Sequence, residues 1–171
     1  MGTGYTGLRF ASGTGPRVLG VPADVLRDQR VPLADLWTTR KVRDLTEHLY
    51  RASHPGAVLE RSAADRLAEA GPPDPMLTEL VTRLRAGVSV SAAASMAGPS
   101  ERQLHRRSLA AFGYRPRTLA RILRMNRARA MVRAGTPRAE AAVAVGYADQ
   151  AHLARDVRAL TSATLGMLTA R

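Results

Sequence analysis

The side chains best suited to chemistry in this sequence are its arginines, and they are unevenly placed. From Met76 to Arg171 there are sixteen basic and five acidic residues, and every basic one is an arginine. From Met1 to Pro75 there are ten basic and nine acidic residues, so the net charge of +12 divides into +11 and +1. A guanidinium is a planar fork of donors that meets a phosphate or a guanine edge with two hydrogen bonds at once, which an ammonium cannot do. Charge of this kind, concentrated in one half of a chain, points to nucleic acid as the partner, with a merely solvated basic surface as the alternative. A membrane surface is disfavoured, because no segment pairs a basic face with large aromatic residues.

Other chemistries find little support. The histidines are His48, His54, His105 and His152, with no close pair and no carboxylate at ligand spacing, so neither a metal nor another cofactor is expected. There is no cysteine, which excludes disulfides and thiolate ligands. No glycine-rich phosphate loop, serine–histidine–aspartate set or carboxylate pair stands in a recognisable motif, so an enzyme is not expected. The chain lacks an apolar run of membrane-spanning length and the layout of a secretion signal, and is expected to be soluble and cytoplasmic.

The elements that must position the arginines are helical. Alanine, leucine, valine and arginine dominate, and aromatic residues are 4% of the chain. Gly71-Pro72-Pro73-Asp74-Pro75 cannot continue a helix, and the residues 72–75 are read as a linker between residues 1–71 and 76–171. Before it, the glycines of residues 2–20 suggest one or two short strands with turns, and residues 38–52 and 56–70 have helical apolar stripes. Trp37 is expected to anchor a core. After the linker, helices are expected over 76–86, 90–97, Ser100 to Phe112, 116–134, 137–145 and from Asp149 to about Thr161. Thr136-Pro137 reads as a cap followed by a proline in the first turn.

An internal repeat runs through this half. Ser100 and Asp149, Leu104 and Leu153, and Arg106 and Arg155 are each 49 residues apart. Each cap follows an alanine-rich stretch ending in glycine, Ala93-Ala94-Ser95-Met96-Ala97-Gly98 and Ala141-Ala142-Val143-Ala144-Val145-Gly146. Short helix, glycine turn and capped helix, twice over, is the layout of tandem helix-turn-helix units.

The motifs along this segment resemble the DNA-binding domain of AraC-type transcription regulators. They are Ala93-Ala94, Ala97-Gly98, Ser100-Glu101-Arg102-Gln103-Leu104-His105-Arg106, Gly113-Tyr114-Arg115-Pro116, Arg124, Val145-Gly146-Tyr147-Ala148-Asp149 and Arg155. Ser108 and Val157 stand where that family usually has phenylalanine. The resemblance implies a first unit over 76–115, a linker helix over 116–134 and a second unit over 136–171. It implies two recognition helices about one DNA turn apart, ~34 Å, reading successive major grooves of double-stranded DNA. It also implies RNA polymerase as a further partner and leaves a homodimer open. More loosely, Gly7-Leu8-Arg9-Phe10, Leu19-Gly20-Val21-Pro22 and Val31-Pro32-Leu33-Ala34-Asp35-Leu36-Trp37 are similar to the end of a sensor module in such regulators.

The expected fold is therefore mainly α: two three-helix units joined by a long helix, preceded by a small α+β remnant of a sensor domain. Arg102, Gln103, His105 and Arg106 in the first recognition helix are the candidates for base contact, with Gln150, His152 and Arg155 in the second. Ser100, Arg117 and Arg121 are the candidates for the DNA backbone, while Arg124 suits a structural role equally well and Asp149 is a helix cap. The alternative is a truncated or decayed regulator that works mainly through protein contacts.

Overall fold

A computed structural model describes residues 5–95, 100–161 and 165–169. Contacts divide the chain into two compact units, Met1–Pro73 with Arg106–Tyr114, and Asp74–His105 with Arg115–Arg171. The described residues are helical and contain no strand, and none of their helices is long and apolar enough to cross a membrane.

The first unit holds α1 (Gly15–Leu19), α2 (Ala23–Leu26), a single 3-10 turn (Leu33–Asp35), α3 (Thr39–Arg51) and α4 (Pro55–Glu69). The expected strands within residues 2–20 are absent among the described residues, and the α+β remnant with them. Their glycine and proline signals serve a helix instead. Pro16 sits in the first turn of α1, where its missing N–H costs nothing, and Gly20 closes that helix in the left-handed region at φ 78°. The Gly20 N–H then donates to the Pro16 carbonyl at 2.8 Å. α3 and α4 fall where the apolar stripes place them and pack on each other, with α1 against α4. Trp37 is half-buried: its Nε1 donates to the Leu19 carbonyl at 3.2 Å, and the Arg66 guanidinium lies 5.1 Å above its ring. Arg66 Nε also donates to the Val18 carbonyl at 3.1 Å, so a side chain of α4 satisfies an open end of α1. In the same unit Ser108 is fully buried and its hydroxyl donates to the Tyr114 carbonyl at 2.8 Å.

The second unit holds α5 (Pro75–Arg85), α6 (Val90–Ser95), the start of α7 (Glu101–Phe112), α8 (Pro116–Arg133), α9 (Arg138–Ala144), α10 (Gln150–Thr161) and α11 (Leu165–Thr169). The expected extension of α6 to residue 97 and the glycine turn behind it lie outside the described residues. Two helix starts differ in detail from the sequence expectation. Asp74, from the proline-rich linker, caps α5 by accepting the Met76 N–H at 3.0 Å. At α9, Pro137 rather than Thr136 occupies the capping position with extended backbone (φ −54°, ψ 141°), since a proline that precedes Arg138 in this geometry cannot also be its first helical residue.

α8 organises this unit by packing against α5, α6, α9, α10 and α11. Its inward residues Leu119, Leu123, Met125 and Ala128 are buried. Met125 and Ala128 join Ala142, Val145, Tyr147, Leu153, Val157 and Leu165 in one apolar cluster. Val157 fills its place with no exposed surface. Small side chains on α9, Ala141 and Ala142, let its backbone approach α8 closely. Leu153 is fully buried in this cluster, so Leu153→Ala should cost about 2–5 kcal/mol of stability in a urea titration. A loss under about 1 kcal/mol would show that α10 is not seated on this core.

Candidate nucleic-acid interface

Both candidate recognition helices begin with the same local chemistry. The Ser100 hydroxyl accepts the Gln103 N–H at 3.4 Å, and the Asp149 carboxylate accepts the His152 N–H at 2.5 Å. Each cap thus satisfies the backbone donor three residues on, which would otherwise be left open at a helix start. The caps fix where each helix begins and hence which residues share its outer face.

On α7, Leu104 is buried, while Arg102, Gln103 and Arg106 are exposed. Positions i, i+1 and i+4 lie on one side of a helix, so these three present a single donor-rich edge. His105 is placed differently. It is half-buried and lines a cavity with Val90, Ala94, Leu104, Arg115 and Pro116, and its Nε2 is buried without a partner.

On α10, Leu153 is buried and Gln150, Ala151, Ala154 and Arg155 are exposed. His152 turns back toward the preceding loop. Its Nδ1 accepts the Ala148 N–H at 3.4 Å, and its ring meets Tyr147 edge-on with centroids 5.1 Å apart. The outward polar side chains of its first two turns are therefore Gln150 and Arg155.

α8 separates its arginines by role. Arg117 is exposed and makes no ion pair among the described residues. Arg121 is exposed but engaged by the protein: its Nε and Nη2 donate to Asp156 Oδ1 at 2.9 and 2.6 Å. The other carboxylate oxygen, Oδ2, accepts the Tyr147 hydroxyl at 2.9 Å and has Arg124 Nη2 at 3.7 Å. Arg124 also stacks on Tyr147 at 4.1 Å and donates to the Gly146 carbonyl at 3.4 Å. Arg124 thus has the structural role that the sequence allowed it.

Asp156 is 8% exposed. Burial alone would push its carboxyl upward, but the hydrogen bonds from Arg121 and Tyr147 and the charges of Arg121 and Arg124 outweigh it, holding the group below its ordinary value of 3.8. Burial, with the Asp156 hydrogen bond and charge beside it, pushes the Tyr147 hydroxyl up to about 12. Asp156 was not among the sequence candidates. Its signal was the stripe Leu153, Asp156, Val157, at i, i+3 and i+4, which puts a carboxylate on the inward face of an apolar helix.

Residues 93–171 match the family model described as a helix-turn-helix domain. No curated protein and no solved structure matches the chain. The helical fold and that match support a helix-turn-helix DNA-binding domain over residues 93–171, of the AraC type that the motifs resemble.

Because the carboxyl of Asp156 is stabilised as the anion, its contribution to stability is complete above the ordinary carboxylate value and is lost as pH falls through its lower folded value. Asp156→Asn should therefore cost about 1–3 kcal/mol at pH 7, allowing for the partial exposure of Arg121. The gap between wild type and variant should shrink below about pH 4. Urea midpoints at pH 7 and pH 3 check both; a gap that is the same at the two values would show that the charge of Asp156 contributes nothing.

Proposed function

We propose that this protein regulates transcription by binding a defined site in double-stranded DNA, with α7 and α10 as recognition helices in successive major grooves. The observation that carries the reading is the exposed edge Arg102, Gln103 and Arg106 on a helix whose start is fixed by the Ser100 cap. Arginine there suits a guanine edge and glutamine an adenine edge, each bidentate pair being worth about 1–3 kcal/mol of discrimination. α10 offers Gln150 and Arg155 across a face otherwise made of Ala151 and Ala154, which supports a weaker demand on sequence in its half of the site.

Arg117 and Ser100 are the candidates for backbone contact. Arg121, with one edge engaged by Asp156, is better read as a side chain that holds α10 to α8. His105 and His152 are read as packing residues for the same reason, since each is turned from the exposed edge of its helix. RNA polymerase is the expected protein partner, a homodimer is compatible with the reading, and the expected place of action is the compartment that holds the DNA. No catalytic step is part of this function.

Titration of fluorescent duplexes tests the reading. The logarithm of affinity should fall linearly with the logarithm of salt, with a slope of about −0.9 per phosphate neutralised. On the preferred duplex Arg106→Ala should weaken binding by about 1–3 kcal/mol and narrow its advantage over unrelated duplex. Arg155→Ala should lower affinity for both duplexes by similar factors. A flat salt response would remove DNA binding from the account, and a loss of sequence preference in Arg155→Ala alone would reverse the two helices.

A further inference from the structure

A second cluster of arginines in the second unit lies apart from the recognition edges and is only partly engaged by Asp156. Arg121, Arg124 and Arg127 follow one another at three-residue steps along α8 and line a cleft of about 290 Å³. Its other walls are Leu84 with Gly87, Val88, Ser89 and Val90, the turn between α5 and α6, and Val145-Gly146 at the end of α9. No acidic side chain is among the lining residues.

The charges in this cleft are incompletely balanced. Asp156 faces Arg121 and Arg124 and is a single negative charge against two. The Nε of Arg124 is buried and has no hydrogen-bond partner. Arg127 is half-buried, and no hydrogen bond or ion pair of it occurs among the described residues. Its Nη1 lies 3.3 Å from where a side chain on Gly87 would begin, so the glycine leaves room for the guanidinium, and a φ of 88° there independently favours glycine. A guanidinium donor left without water or a protein partner costs free energy, and an anion meets such donors with charge-assisted hydrogen bonds.

We infer that this cleft binds a tetrahedral oxyanion of the phosphate class, held by Arg127 and the remaining donor edge of Arg121, with the charge of Arg124 behind them. A DNA backbone phosphate and a free phosphate-bearing molecule share that chemistry. The site does not depend on how α7 and α10 read bases.

Thermal unfolding in inorganic phosphate, against chloride at equal ionic strength, tests it in wild type, Arg127→Gln and Val88→Asp. Arg127 makes no hydrogen bond or ion pair among the described residues and glutamine keeps part of its stem, so Arg127→Gln should fold. About 20 mM phosphate should raise the wild-type midpoint by several degrees beyond the rise in Arg127→Gln, the variant reporting the general stabilisation that phosphate gives any protein. Val88→Asp places a carboxylate on the cleft wall and should stabilise the protein in chloride while abolishing the specific phosphate response. The salt dependence of binding to a 20-base-pair duplex separates the sources. A slope reduced by about one phosphate in Arg127→Gln identifies the DNA backbone as the occupant. An unchanged slope with an intact phosphate response identifies a free anion. Equal phosphate responses in wild type and Arg127→Gln, together with equal slopes, overturn the proposal.

Discussion

A carboxylate placed on the inward face of a helix must be met by donors from its neighbours, and in this protein that requirement fixes α10 on α8. Asp156 sits between Leu153 and Val157, so burying the apolar stripe of α10 necessarily buries the charge. Arg121 and Arg124 from α8 and Tyr147 from the loop before α10 supply the donors. A purely apolar contact between two helices tolerates small rotations, because dispersion has little directional preference. A carboxylate that receives two guanidinium bonds on one oxygen and a phenol on the other does not. The rotation of α10 determines that Gln150, Ala151, Ala154 and Arg155 face outward, so the polar network behind the helix sets what its front can present.

The same economy explains how arginines of one sequence come to do different work. Arg66 lies over Trp37 and reaches the Val18 carbonyl; Arg27 donates to the Gly113 carbonyl at 3.1 Å. Arg17 donates to the carbonyl of Gly71. These side chains use planar, always-charged donors as struts between helix ends and loops, a role for which the long apolar stem also supplies packing. Arg102, Arg106, Arg117 and Arg155 remain on exposed surface. A count of positive charge does not distinguish the two groups; only the presence of a carbonyl or carboxylate within reach does.

This is why the helices were legible in the sequence and part of the candidate interface was not. Caps, prolines and glycines act within a few residues, so Ser100, Asp149 and Gly113 mark helix ends that the structure reproduces closely. The strands expected near the N-terminus failed because glycine and proline punctuate helices as well as hairpins, and a strand needs a partner that local signals do not reveal. The pairing of Arg121 with Asp156 was not legible, because the partner lies 35 residues away on another helix. His152 likewise follows the periodicity of an outward face, yet the Tyr147 ring and the Ala148 N–H draw it inward. Longer-range polar pairing is the information that periodicity lacks, although the inward register of Asp156 was present in it.

The central claim is that two helices with fixed outward faces, α7 and α10, read one duplex together. Selection of bound sequences from a randomised duplex library, followed by footprinting on the winner, measures it most directly. Two sequence elements about 10 base pairs apart on one side of the duplex, with the stronger preference in one of them, are the expected result. Retention of all sequences equally at moderate salt, or a single short element with protection confined to one groove, would contradict it.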